Sequence, residues 1–172
     1  MVASSSRQYL DSSYQVIEGT EVTGFTPVLG TTKLLYKVSI AFDFAGSNPL
    51  ANFIIEVKEE GLGSWTEILK STETIYGDHV CSPFECSAVL HLGDNSNDLS
   101  NGRTSTSRPT LSFRVRAREY QNNSTYNASV NNVDYVFDGD DSILHVDRPV
   151  PPRVDIISLG PETQPLTYER TA

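Results

Sequence analysis

Basic residues, cysteines and long apolar runs are all scarce in this sequence of 172 residues, and each shortage excludes something. There are 13 Lys and Arg against 22 Asp and Glu, a formal net charge of −9. Affinity for a phosphate backbone rests on clustered Lys and Arg, and no cluster of sufficient size occurs, so nucleic acid is not an expected partner. No apolar stretch reaches the length of a membrane span, and the N-terminal MVASSSRQYLDSSYQ is serine-rich where a secretory leader would be apolar. The expectation is a soluble protein made in a cytoplasm, with no membrane partner.

Two cysteines, Cys81 and Cys86, flank Ser-Pro-Phe-Glu. Such a pair could close a small ring in an oxidising medium. A structural zinc needs four soft ligands, and His79, His91 and His145 do not fall at a zinc-finger spacing. Two reduced or partly buried thiols beside a turn is the reading that cytosolic synthesis favours. Catalytic signatures are missing too: there is no Gly-x-Ser-x-Gly elbow, P-loop or His-Glu-x-x-His. The carboxylate pairs Glu59-Glu60 and Asp140-Asp141 could do glycosidase work only in a cleft that holds them at a defined separation, which adjacent turn residues rarely supply. No enzymatic activity and no cofactor are expected.

What is present is alternation. Residues 33–44, KLLYKVSIAFDF, set Leu34, Tyr36, Val38, Ile40, Phe42 and Phe44 against Lys33, Leu35, Lys37, Ser39, Ala41 and Asp43. Apolar side chains at period two predict a long half-buried strand. Shorter extended segments are predicted over 14–18 and 21–27, and Gly30-Thr31-Thr32 turns the chain into the long strand, which Gly46, Asn48 and Pro49 end. NFIIEVKE (52–59) directs Phe53, Ile55 and Val57 to one face and Asn52, Glu56 and Lys58 to the other, with Ile54 the exception; Gly61-Leu62-Gly63 predicts a hairpin into SWTEILK (64–70). A strand over 86–92 precedes a polar loop over 93–109, and PTLSFRVRAREY (109–120) places Leu111, Phe113, Val115 and Ala117 inward and Ser112, Arg114, Arg116 and Arg118 outward. A second polar loop over 121–132, then VDYVF, the DGDDS turn, ILHV, the RPVPP punctuation and RVDIISL (153–159) complete the chain; the sequons at Asn122, Asn123 and Asn127 read as chance matches in that loop.

Eight to nine strands without a competing helical period predict an all-β fold: a two-sheet antiparallel sandwich, jelly-roll-like. An immunoglobulin-type sandwich would show its tryptophan between widely spaced cysteines, a spacing absent here. The single domain is placed at 13–160, between an N-terminal arm (1–12) and a C-terminal tail (161–172) whose composition predicts that neither folds alone. In the last strand Ile157 and Leu159 oppose Val154 and Ile156, apolar on both faces. A strand of this kind is covered on both faces. In a sandwich that takes a neighbouring subunit or a returning tail, so a homo-oligomer is expected, with a threefold ring as its geometry.

GTEVTGFTPVLGTTKLLYKVSIAF (19–42), AREY (117–120) and YVFDG (135–139) together resemble a β-sandwich domain found in structural proteins of marine tailed phages and large algal viruses, over residues 19–160. The resemblance implies a trimeric jelly roll at a fibre tip, on a spike or as a capsid decoration, and hence a virion location. Terminal arms in such a particle would contact other virion proteins. No catalytic signature travels with these motifs. The chain departs from the pattern in its longer 94–109 loop, in Phe137 and in its Pro-rich end.

Loops of this length are where function concentrates. Asp94, Asn95, Asn97 and Arg103 in the first loop and Asn122, Asn123 and Tyr126 in the second are candidate contacts for a host-surface glycan. Trp65 could stack on a sugar ring, although a sole tryptophan of a β domain is more often core or interface. Arg114, Arg116 and Arg118 could grip an anionic glycan or an acidic patch of another subunit. Cross-strand pairing with Glu56 would produce the same stripe without a ligand, and the structural reading, intramolecular or intersubunit, is preferred; with Ile157 and Leu159 these arginines form the candidate subunit interface. Asp138, Asp140 and Asp141 are a calcium candidate that lacks the distant glutamate of an EF-hand, and Asp94, Ser96 and Asp98 alternate oxygens but have Leu99 where glycine is needed. A solvated turn is preferred, so no metal is expected. The expected function is therefore a non-enzymatic virion structural protein on the particle exterior; a carbohydrate-binding module is the alternative, and a small glycan hydrolase ranks third.

Overall fold

Extended strands occupy most of the residues that the computed structural model describes, namely residues 8–45, 50–74, 82–119, 127–135 and 146–160. In chain order the strands are β1 (Gln8–Tyr9), β2 (Gln15–Val16), β3 (Val22–Phe25), β4 (Lys33–Ala45), β5 (Leu50–Glu59), β6 (Thr66–Thr74), β7 (Ser82–Leu92), β8 (Arg103–Thr104), β9 (Leu111–Glu119), β10 (Asn127–Val130), β11 (Asn132–Tyr135), β12 (Val146–Pro149) and β13 (Arg153–Leu159). One 3-10 helix, Leu99–Asn101, is the only helix among the described residues. The chain is all-β.

Two sheets form, with a separate β11–β12 ribbon. The first runs β1-β10-β4-β7-β8, and β13 joins the same edge of β4 as β10, pairing Ile156 with Tyr36 and Leu159 with Lys33 while β10 pairs Val130 with Phe42. The second runs β2-β9-β5-β6, with β3 on β9 beside β2. Pairing is antiparallel throughout except for β7 with β8. The chain passes from β4 in the first sheet to β5 and β6 in the second, back to β7, across to β9 and back to β10.

The sheets pack face to face on one apolar layer, which makes the molecule a sandwich. Leu34, Tyr36, Val38, Ile40 and Phe42 of β4 face inward, as do Phe53, Ile55 and Val57 of β5 and Leu111, Phe113, Val115 and Ala117 of β9. The side chain of Phe44 lies outside the described set. Ring contacts cross the interface: Tyr36 stacks on Phe113 with centroids 5.0 Å apart, Phe42 meets Phe53 edge-on at 5.4 Å, and Phe53 stacks on Phe84 of β7 at 3.9 Å. The hydroxyl of Tyr36 donates to the Thr20 carbonyl, and Thr20 Oγ1 accepts from the Val115 amide, so the polar atoms at this end of the core are satisfied.

Several boundaries differ from the sequence reading. The predicted loop over 121–132 contains β10 and the start of β11, because Ala128 and Val130 are buried beside β4. Two small apolar residues among Asn and Ser are too few to register as a strand pattern. The strand expected at 86–92 begins at Ser82, with Pro83 opposite Ala41. The loop over 93–109 carries the 3-10 helix and β8, which hydrogen-bond along β7: the His91 amide donates to the Gly102 carbonyl at 2.8 Å. Punctuation at 148–152 gives way to β12, whose Pro149 ends the strand opposite Asn132. Within the segment read as an arm, Gln8–Tyr9 pairs with β10.

Candidate functional sites

Strand β9 sets its arginines on the outer face of the second sheet, and the register decides what each one meets. Arg114 lies opposite Glu56, Arg116 opposite Ile54 and Arg118 opposite Asn52. Glu56 accepts from Arg114 Nε at 2.6 Å and from a terminal nitrogen of Arg116 at 3.2 Å. The second terminal nitrogen of Arg116 donates to the Tyr14 carbonyl. Trp65 lies on this face with its ring 4.1 Å from the Arg114 guanidinium, and the ring of Tyr14 lies 5.6 Å from that of Arg116 and 4.9 Å from that of Arg118. Arginine stems over the sheet account for the burial of Asn52, Ile54 and Glu56 on what would otherwise be a solvated face. Trp65 is half-buried in a cation–π contact rather than in the core.

A second constellation sits where β5 ends. Continuing the inward register Phe53, Ile55, Val57 places Glu59 on the core face, and its carboxylate accepts from Thr106 Oγ1 at 2.8 Å and Thr104 Oγ1 at 3.0 Å. Glu60 points the other way, to Ser112 and Lys58. Strand alternation thus separates this carboxylate pair onto opposite faces. Hydrogen bonding from Ser112 and then Lys58 holds the exposed Glu60 carboxyl below its ordinary value. Between the β5–β6 turn and the 3-10 helix lies a cleft of about 320 Å³ lined by Glu59, Leu62, Ser64, Thr66, Asn97, Asp98, Leu99 and Ser100.

Asp98 caps the 3-10 helix: its carboxylate accepts from Ser100 Oγ at 2.6 Å and Asn101 Nδ2 at 2.7 Å, and these bonds, Ser100 first, lower its pKa. Asp94 pairs with Arg103 at 3.4 Å. Of the candidate ligand contacts, Asn97 lines the cleft while Asp94 and Arg103 hold each other beside β7; Asn95 is exposed and is not part of this cleft, and Trp65 is on the opposite face of the sheet. Asn122, Asn123, Tyr126, Asp138, Asp140 and Asp141 lie outside the described residues, as do Cys81, His79 and His145. Among the described residues no group of three or more His, Cys, Asp or Glu could hold a metal ion. Cys86 is a free, half-buried thiol against the core, and burial pushes its pKa up to about 12.

The outer face of the first sheet is different. Ile157, Leu35 and Val89 align across β13, β4 and β7. Val89 is 46% exposed, Ile157 44% and Leu159 42%. The exposed Val28 and Leu29 precede the turn that hydrogen-bonds Thr32 to the Leu159 carbonyl. Toward the centre of the sheet Lys37 pairs with Glu85 at 3.2 Å, and Arg153 with Asp155 at 3.0 Å.

Sequence reasoning weighed Glu59 only as half of an adjacent carboxylate pair and missed its inward placement, and it missed Tyr14 and Glu119. For the two glutamates the signal was present: Glu59 and Glu119 each extend an apolar period-two series by one step, at opposite ends of the second sheet, since Glu59 pairs with Leu111 and Glu119 with Ala51. Burial at that position, offset by a hydrogen bond from the Ala128 amide, raises the Glu119 carboxyl to about 7. Tyr14 carried no pattern. Among the described residues no helix is long and apolar enough to cross a membrane. Among the described residues these features define an all-β, two-sheet sandwich with a polar cleft, an arginine-rich face and an apolar face. No protein-family model matches the chain, and no curated protein matches it.

Proposed function

We propose that this chain is a non-enzymatic structural protein of a virus particle, an oligomeric jelly roll on the exterior that serves as a capsid decoration, minor capsid protein, or spike or fibre component. The strand orders β1-β10-β4-β7 and β2-β9-β5-β6, with the chain alternating between sheets, are those of a jelly roll built from two Greek keys and support that part of the reading. The virion placement rests on the resemblance carried by residues 19–42, 117–120 and 135–139.

The observation that carries assembly is the apolar row Ile157–Leu35–Val89, in which Ile157 and Val89 are exposed and Leu35 is half-buried between them. A contiguous apolar face on a β protein marks an interaction site, and a threefold ring would cover it with a different patch of the neighbouring copy, a particle with a virion partner. Labelled protein supplied to infected host cells should co-purify with the particles, and Ile157→Lys should abolish co-purification. A wild-type protein that never co-purifies would overturn the reading. A glycan-binding role has one specific observation in its favour, the cleft whose carboxylates, hydroxyls and Asn97 amide suit sugar hydroxyls. Glycan-array binding lost with Asn97→Ala would support it.

A further inference from the structure

We propose that the Tyr14–Arg118 end of the arginine row binds the carboxylate of an acidic saccharide, such as a uronic-acid oligomer. The proposal is independent of the assembly reading. Its starting point is an imbalance along the row. Glu56 is the only carboxylate among the described residues that contacts these arginines, and it takes both Arg114 and Arg116. Glu67, across from Glu56 in register, is exposed at that same end. Arg118 sits two positions beyond, opposite Asn52, and meets no carboxylate among the described residues.

Two buried polar atoms lie at that point without a hydrogen-bond partner: Arg118 Nε and the Tyr14 hydroxyl. Buried polar groups are almost always paired, so an orphaned pair calls for a missing acceptor. Arg118 and Tyr14 are in direct contact through ring and guanidinium, while the backbone around Tyr14 is fixed to β9 by the Gln15 and Val16 pairing, by the Tyr14 carbonyl and by bonds at Asp11 and Ile17. Rotation of the Tyr14 ring alone, on that fixed backbone, would open both donors to one ligand. A carboxylate offers two oxygens in the geometry that a guanidinium matches bidentately.

Two further observations select the carrier. The chain has a net charge of −9, which opposes approach by a densely acidic polypeptide. A saccharide of two or three uronic-acid rings carries one carboxylate per ring, a small charge that the arginine row meets at short range while more distant charge is screened. The flanking rings of Tyr14 and Trp65 supply apolar faces of the kind that sugar rings use.

Titration of the full chain with a galacturonate trisaccharide tests this, followed by calorimetry and by the fluorescence of the sole tryptophan beside Arg114. Binding should weaken as salt rises. Arg118→Ala should weaken it tenfold or more, Arg118→Lys less, and Lys37→Ala on the other sheet not at all. Thermal melts of each variant separate lost binding from lost folding. The proposal is overturned by no binding of the trisaccharide, by equal binding of its carboxyl-reduced neutral counterpart, by equal binding of inorganic sulfate or a glutamate peptide, or by a folded Arg118→Ala that binds as wild type does.

Discussion

On the outer face of the second sheet, Arg114, Arg116 and Glu56 form charge-assisted bonds, two aromatic rings lie on guanidinium groups, and Ile54 is buried under their stems. On the outer face of the first sheet, Ile157, Leu35 and Val89 form an apolar row that the chain leaves open at both ends of the row. Both faces belong to the same sandwich, and β4 and β5 are comparably long. The difference teaches that sheet length does not decide which face is finished. The second sheet meets its own needs with side chains long enough to fold back over it, whereas the first carries short branched residues that only another surface can cover.

Loss of the shared core would break both faces together. Phe53→Ala removes the ring that contacts Phe42 and Phe84 across the interface and should cost about 3–5 kcal/mol, read as a shift in denaturant midpoint. Breaking only the finished face should cost less: Glu56→Ala leaves two arginines without their carboxylate, about 2 kcal/mol, because both keep part of their hydration. At the edge of the open face, Gly102 has φ +65° and a Cβ there would sit 2.6 Å from the Val89 carbonyl oxygen. Gly102→Ala should therefore cost about 2 kcal/mol and loosen β8 from β7, seen as faster amide exchange at His91.

The ends of the second sheet sharpen the comparison by pH. Glu119 is raised from 4.5 to about 7 in the folded protein, so between these values the unfolded chain gives up its proton first. Stability from this group should fall as pH rises through that window and level off above it. Glu119→Gln should flatten the slope between pH 4.5 and about 7, measured by melts across that range.

Much of this architecture was legible in the sequence because alternation is a local signal. Leu34 to Phe42 predicted β4 and its inward face, and Leu111 to Ala117 did the same for β9. Strand β10 was not legible, since Ala128 and Val130 become a strand only through pairing with residues over 80 positions earlier in β4. The Arg114–Glu56 pair was foreseeable from facing alternations, but the contact of Tyr14 with Arg118 depends on how β2 returns to β9. Glu59 and Glu119 were readable as inward positions of their alternating strands, but their polarity argued against an inward placement.

We propose that the face carrying Ile157, Leu35 and Val89 is covered by another molecule. Multi-angle light scattering of wild type and of Val89→Asp tests it most directly. An exposed substitution of this kind should change monomer stability by less than about 0.5 kcal/mol. The account predicts a wild-type mass that is a multiple of the chain mass and a monomeric, equally stable Val89→Asp protein. A wild type that stays monomeric at high concentration, or a Val89→Asp protein with the wild-type mass, would contradict it.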